Sequence, residues 1–351
     1  MPNLMPEQLN TSPKVAIIIL NWNGLKDTIE CLESVKKIDY PNFEIIVVDN
    51  GSTDGSPEKI KEIFPDITLI RNKENLGYAS GNNVGIRYAL KNNAEYILML
   101  NNDTVVDKNI LSIFVETIRK EENVGSLGGK VFYYKKKNYI HSAGGIVNNI
   151  KGMLYGFNRG EGEIDYGQYE KIVSVDYIMG CALFFALSTI EKVGLFNEQF
   201  FLYCEDTDFG LRIKKAGLHN LYVPYVKIWH KVSASTGWKH PSIYYYDFRS
   251  RLLLTKLHGF INSKLDIKIF KWTFYEIKKL LKSKFKLRFT AIIFVFWGLF
   301  DFWCNRFGKA HNWIDIKIEK FIEYKLWNWF DIHIRKYLSL VKRFFLKYIR
   351  K

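Results

Sequence analysis

Cysteine is scarce in this chain: four among 351 residues, Cys31, Cys181, Cys204 and Cys304, with no Cys-x-x-Cys pair and no recognisable metal-ligand spacing. That excludes a disulfide scaffold and a zinc module, and a reducing compartment is the simplest setting. Long apolar runs are missing too. The opening MPNLMPEQLNTSPK is polar and the first apolar run, Val15 to Leu20, has six residues, so no signal peptide is expected. The longest apolar stretch, Phe289 to Cys304, has 16 residues and contains Asp301. It falls short of the ~20 that cross a bilayer. No internal repeat or low-complexity segment stands out. With 48% hydrophobic and 25% charged residues, disorder and collagen-like repeats are excluded, and there is room for one large domain with an appendage, or two domains.

Acidic residues become rare towards the C-terminus. Residues 1–260 hold 30 Lys/Arg and 29 Asp/Glu, giving +1, whereas residues 261–351 hold 21 and 7, giving +14 of the total +15. Six of the nine Trp lie in that last segment. A near-neutral body therefore carries a basic, aromatic-rich attachment.

What the body does have is alternation. Short β-branched runs at 15–20, 44–49, 67–70 and 96–100 read as buried parallel strands, and amphipathic patterns at 25–37, 56–64 and 78–91 read as helices between them. This is the order of a doubly wound α/β sheet, in which ligands bind beyond the strands' carboxyl ends. Those ends carry Asn21-Trp22-Asn23-Gly24, Asp49-Asn50-Gly51-Ser52 and Asn101-Asn102-Asp103. From Gly125 to about Gly160 the pattern predicts irregular strands and an active-site loop. A buried strand is expected over Val173 to Leu187, a helix through Ala216 and a strand around 219–227, with the body ending near residue 240.

Each motif has a plain alternative. Asp49 at a strand end could accept hydrogen bonds from a base or ribose, yet Asp-Asn-Gly-Ser is also an ordinary turn and cap. Asp103 could hold Mg²⁺ or Mn²⁺ against a diphosphate, or simply cap a helix. Glu205, Asp206 and Asp208 set three carboxylates within four positions; their mutual repulsion suits one for general-base work, but an acidic first turn also favours a helix dipole. His230 by itself is more often a packing residue than a ligand, and His141, His219, His240 and His258 offer no stronger case.

In sequence, Asn21 to Gly24, Val48 to Gly55, Asn75 to Gly85 (NLGYASGNNVG), Leu100 to Thr104, Phe200 to Asp208 and His230 resemble the family 2 glycosyltransferases of GT-A fold, particularly the rhamnosyltransferase-like branch, over about residues 14–255. The resemblance implies a Rossmann-like α/β fold with a mixed, mostly parallel sheet flanked by helices. It divides the chain into an N-terminal extension (1–13), a GT-A domain (14–240) and a basic helical tail (241–351). It also implies a nucleotide site lined by Asn21, Asn23, Asp49, Asn75, Gly77, Asn82 and Asn102, and a divalent metal, Mg²⁺ or Mn²⁺, at Asp103 and His230. Asp206 would be the catalytic base, tuned by Glu205. The usual D-x-D of this family reads Asn101-Asn102-Asp103 here, with an amide in place of the first carboxylate. Gly180-Cys181-Ala182 resembles a small-residue strand entry beside the acceptor, or is close backbone packing.

The implied reaction is an inverting transfer from a nucleotide-diphospho-sugar, dTDP-rhamnose or a UDP-sugar, to a glycan or lipid-linked glycan. A catalytically idle nucleotide-sugar-binding or scaffold subunit is the second reading; a processive synthase is disfavoured because no membrane span is evident. In the tail, Phe270, Phe274, Ile277 and Leu281 form one helical stripe and Phe330, Ile334, Tyr337, Val341, Phe345 and Tyr348 another. With Lys and Arg on the other faces, they point to a peripheral place on an anionic membrane, at the cytoplasmic face, with Ala291–Phe300 dipping in. Helices packed on the body with snorkelling lysines are the alternative. No nucleic-acid module is visible.

Overall fold

The computed structural model describes residues 12–232, 242–261, 263, 266–282 and 288–310. Its first hundred residues alternate as expected: β1 (Val15–Asn21), α1 (Leu25–Val35), β2 (Phe43–Asp49), α2 (Ser56–Ile63), β3 (Thr68–Arg71), α3 (Gly77–Lys91) and β4 (Tyr96–Asn101). These strands lie in the parallel order β3-β2-β1-β4. Helices cover both faces, so Val15 to Ile19 are all fully buried and the strand reads as a continuous apolar run. The register sets Asn21 opposite Asp49, and Leu20 opposite Asn101. Three polar strand ends thus finish at one level.

The rest of the body is β5 (Thr104–Val106), α4 (Ile110–Lys120), β6 (Val124–Tyr133), β7 (Lys136–Ser142), β8 (Gly145–Ile150), β9 (Met153–Asn158), β10 (Val173–Val175), β11 (Ala182–Ala186), α5 (Leu187–Val193), α6 (Glu205–Lys215) and β12 (His219–His230). The sheet continues from β4 through antiparallel β11 to β6, β12 and β10, with β5 on β12 and β7 on β6. Strands β8 and β9 form a separate hairpin.

One expectation holds and another changes. The glycine-rich stretch after Gly125 is strand through most of its length, irregular as expected, with register shifts where β6 meets β7 and β12, and β6 is buried almost throughout. Its glycines serve close packing: a Cβ on Gly128 would stand 2.2 Å from Ile178 Cγ2, and one on Gly129 2.6 Å from Val226 Cγ1. The single strand expected over Val173 to Leu187 is two, an edge strand and a central one. The segment between them, through Gly180, leaves the sheet at the level of the polar strand ends.

Beyond the body lie α7 (Ser242–Leu257), α8 (Ile267–Lys282) and α9 (Arg288–Trp303). They are not a detached tail. Phe248, Leu252, Trp272 and Val295 share one core with Met153 and Tyr155 of the hairpin, and Tyr245, Tyr246 and Phe294 share another with Phe201. Buried Asp301 accepts from Tyr245 Oη at 2.6 Å, so α9 is fixed to α7 by a polar bond inside an apolar contact. The stripe read as apolar in α8 lies at the edge of the buried face: Phe274, 69% exposed, and Leu281 face out, Phe270 and Ile277 are half-buried, and Ile269, Trp272 and Leu280 are buried. A period of 3.6 selects a face without saying which neighbour it meets. Ala291–Phe300, expected to dip into a membrane, supplies buried Ala291, Phe294, Val295 and Leu299 to the protein core. Among the described residues no helix is long and apolar enough to cross a membrane. The second stripe, Phe330 to Tyr348, and His240 lie outside the described residues.

Candidate active site

At the carboxyl edge of β1 and β2, Asn21 is the hub. Its Nδ2 donates to Asp49 Oδ1 at 2.8 Å, Ser56 Oγ at 2.8 Å and Ser52 Oγ at 3.2 Å, and its Oδ1 accepts from Thr28 Oγ1 at 2.8 Å. Asp49 Oδ2 accepts from Ser52 N–H, and Asn23 Oδ1 from Thr53 N–H. Asn102 Nδ2 donates to Thr28 Oγ1 at 2.9 Å. Asp49 is only 1% exposed. Its carboxylate is therefore held inside the edge and shapes the 49–54 turn. Asn50 does the same for the next loop: its Nδ2 donates to Asn75 Oδ1 and Gly77 O, and its Oδ1 accepts from Asn72 Nδ2 and Leu76 N–H.

Across the sheet, β12 pairs antiparallel with β5 and sets His230 opposite Thr104. His230 Nε2 then lies 3.1 Å from Asp103 Oδ1, both groups largely buried. Behind it, His230 Nδ1 is 3.3 Å from His141 Nδ1, and the His141 ring lies against Tyr133. Burial pushes His230 down, but Cys181 and Asp103 beside it more than offset this and hold it up to about 10. Burial, with the neighbouring His230, takes His141 down to about 3. One ring is thus charged against Asp103 while the other stays neutral behind it. A cation bound here displaces the imidazole proton, and Asp103 Oδ1 and His230 Nε2 then offer two donor atoms, 3.1 Å apart in the ion pair. That fits a hard cation bound by one or two protein groups and completed by phosphate oxygens and water. Among the described residues no cluster of three or more His, Cys, Asp or Glu could form an all-protein cage.

The third part is the start of α6. Tyr203 and Cys204, with φ of 69° and 67°, turn the chain through left-handed backbone, a strained conformation for residues with side chains. Two carboxylates follow with opposite fates. Glu205 is 6% exposed and its Oε2 has no hydrogen-bond partner among the described residues. Burial first, then the charge of Asp206, raises it well above the usual carboxylate range. Asp206 is half-buried and also raised by burial, but it accepts from Gly180 N–H at 2.9 Å, Thr207 N–H at 2.6 Å and Thr207 Oγ1 at 3.2 Å, which favour its ionised form. Of the pair, Asp206 is therefore the one that ionises first, and Glu205 keeps its proton to higher pH. Asp208, the third carboxylate, is taken by Arg212 Nε at 2.8 Å and His258 Nε2 at 3.0 Å. It fastens α6 to the end of α7.

Residues 16–187 match the family model described as glycosyl transferase family 2. This chain carries a glycosyl transferase family 2 domain. The chain is 27% identical over 209 residues to the N-acetylglucosaminyl-diphospho-decaprenol L-rhamnosyltransferase of Mycobacterium tuberculosis, covering 55% of this chain and 68% of that one. It is 26% identical over 244 residues to the low-salt glycan biosynthesis hexosyltransferase Agl10 of Haloferax volcanii, covering 68% and 74%. In fold it is similar to GalNAc-T7, solved with UDP, GalNAc and Mn²⁺, at a TM-score of 0.56 and 13% identity over 89% of this chain; it spans 58% of that one, less than two thirds. It is also similar to the mannosyltransferase PcManGT of Pyrobaculum calidifontis, in complex with GDP-Man and Mn²⁺, at 0.51 and 17% over 92% and 84%.

The sequence-named donor and metal residues fall into three groups, all but His230 inside the glycosyl transferase family 2 match. Asn21, Asn23, Asp49 and Asn102 share one network; Asn75 and Gly77 share the Asn50 hub; Asp103 meets His230. Asn82 stands apart, donating to Tyr78 O inside α3. Sequence reasoning passed over Asn50, Thr28, Ser52 and Ser56, although the first and third stood within the quoted strand-end motif. It also set aside His141 and His258, which carry no local signal because strand pairing and helix packing alone bring them in. Thiol nucleophiles are disfavoured: burial raises Cys31 to about 12 and lifts Cys204 as well.

Proposed function

We propose that this chain is a metal-dependent, inverting glycosyltransferase. It would move a sugar from a nucleotide-diphospho-sugar, dTDP-rhamnose or a UDP-sugar, to a hydroxyl of a surface glycan that is lipid-linked. One observation carries the reading. Gly180 N–H holds Asp206, and the next residue's Cys181 C=O accepts from Asn101 N–H at 3.0 Å, so two consecutive residues tie the base to the strand end that leads into Asp103. In the reaction an acceptor oxygen forms a bond to the anomeric carbon and passes its proton to Asp206. The bond from that carbon to the diphosphate breaks with its electron pair, and a single displacement inverts the centre. Asp103 and His230 would hold Mg²⁺ or Mn²⁺, which supplies Lewis-acid stabilisation of the leaving diphosphate. Asn21, Asn23, Asp49, Asn75, Gly77, Asn82 and Asn102 would shape the donor site, mostly by fixing its loops. The names of the Mycobacterium and Haloferax relatives support this sugar and acceptor class.

Thermal unfolding with UDP, dTDP, GDP and CMP, each with and without Mn²⁺ or Mg²⁺, tests it. A stabilisation by one nucleoside diphosphate that grows with metal is expected, about 2.7 kcal/mol at a hundred times its dissociation constant. No response to any nucleotide would favour the idle-subunit reading.

The C-terminal region, 241–351, would rest on the anionic inner face of the membrane, beside a lipid-linked acceptor. Supporting this, Phe274, Leu281, Phe296 and Phe300 are exposed on α8 and α9, and exposed Lys271, Lys278, Lys279 and Lys282 share α8 with the first two. Exposed apolar side chains flanked by cations suit the headgroup boundary.

A further inference from the structure

Gly180 lies between two side chains that the sequence keeps far apart. Its N–H donates to Asp206 Oδ2 at 2.9 Å, and its C=O accepts from Tyr78 Oη at 2.6 Å. Tyr78, in the first turn of α3, is tied to the same wall a second time, since its own N–H donates to Phe201 O at 2.7 Å. The contact is close on both sides. A Cβ on Gly180 would stand 2.9 Å from Tyr78 Oη, and one on Gly77, whose φ is +85°, would stand 2.5 Å from Phe201 O. Only glycine permits either approach.

Of the three hydrogen bonds that Asp206 accepts, two come from Thr207 beside it on α6. Such bonds move with the helix. The Gly180 bond comes from the segment before β11, so it fixes the carboxylate relative to the sheet and to the donor edge. Gly180 in turn is held at its carbonyl by the Tyr78 phenol. We propose that Tyr78 is a positioning residue for the base: through the Gly180 backbone it places the Asp206 carboxylate and joins the donor-side loop to the acceptor-side helix. This rests on the reading of Asp206 as the base. The Tyr78 hydroxyl itself stays protonated, raised well above its usual range chiefly by burial, so it acts as a donor throughout.

Tyr78→Phe removes the phenol oxygen and keeps the ring. Asp206 is then titrated in the intact protein by ¹³C NMR of labelled aspartate carboxyls, its signal identified by its loss in Asp206→Asn. The Tyr78→Phe variant should move that titration upward by about half a pH unit or more, because a bond favouring the ionised form is loosened. Tyr88→Phe, which deletes a hydroxyl from the same helix, should leave it in place. Release of dTDP from dTDP-rhamnose should fall about tenfold in kcat with KM within about twofold. Gly180→Ala should be damaging alone and less so in combination with Tyr78→Phe, which vacates the colliding oxygen, so the pair should not add. An unmoved Asp206 titration together with additive effects would overturn the inference. Full turnover by Asp206→Asn would overturn the base assignment instead. The titration needs no substrate, so a different donor leaves the inference testable.

Discussion

His230 Nε2 stands 3.1 Å from Asp103 Oδ1 because β12 folds back antiparallel on β5, and His141 closes the other side of the imidazole. A nucleoside diphosphate bound with Mn²⁺ should therefore depend on both residues. Asp103→Asn and His230→Ala are each expected to weaken the Mn²⁺-dependent part of dTDP binding about tenfold or more, measured by calorimetry. Metal-free affinity should change little. Equal losses with and without Mn²⁺ would remove these two from the metal site.

The two carboxylates at the start of α6 should separate kinetically. Asp206→Asn is expected to lower turnover about 10²- to 10⁴-fold while dTDP affinity stays within about twofold. Glu205→Gln mimics the protonated acid, so a measurable part of the turnover should survive. If both variants are equally dead in steady-state assays, the division of roles drawn from their burial is wrong.

Stability should follow pH through the same pair. Glu205 is raised in the folded state, so the stability linked to it is fully present below its unfolded value near 4.5 and is lost as pH rises. Glu205→Gln abolishes that loss. Its melting temperature should match the native protein near pH 4 and exceed it by about 2 °C or more near pH 8. A difference that shrinks with rising pH would contradict the assignment of the proton to Glu205.

The helices after residue 241 should matter for folding as well as for attachment. Trp272 is fully buried, stacks on Phe248 with ring centroids 4.3 Å apart and donates to Tyr155 Oη in the β8–β9 hairpin. Trp272→Ala should cost about 3–5 kcal/mol in chemical denaturation. Ending the chain near residue 260 should cost more and take donor binding with it, since it strips Phe294 from the core shared with Phe201. A well-folded, nucleotide-binding fragment would show the two regions to be independent.

Attachment is tested on the outer face. Replacing Phe274, Leu281, Phe296 and Phe300 together by Ser should leave the melting temperature within about 2 °C, because these side chains are exposed, and should reduce co-sedimentation with vesicles containing anionic lipid about tenfold. Unchanged sedimentation would locate membrane contact elsewhere or remove it.

The first hundred residues are legible because local and global preferences agree there. Val15 to Ile19, buried on both faces, can only be an apolar run, and its end has to be polar where the sheet meets solvent. Four of the six quoted motifs lie at strand ends, those at Asn21, Asp49, Asn101 and His230, and the first three follow apolar runs that made them readable as a site. Other features have no local signature. His141 looks like any histidine in a strand until β7 pairs with β6 and β6 with β12, which sets it beside His230. Gly128 and Gly129 suggest irregular strand or loop, because composition does not reveal that Ile178 and Val226 press against them. The stripe Phe270, Phe274, Ile277, Leu281 was visible as a stripe, but periodicity is symmetric about a helix, and the packing of Trp272 under the hairpin decided which side is buried. The sequence by itself determined the order of strands and helices and the chemistry at the strand ends, since both follow from neighbours along the chain. Tertiary structure decided which carboxylate of Glu205, Asp206 and Asp208 is buried, held or fastened, because that depends on Gly180 and His258 arriving from other elements, whereas Arg212 reaches Asp208 from one turn along α6.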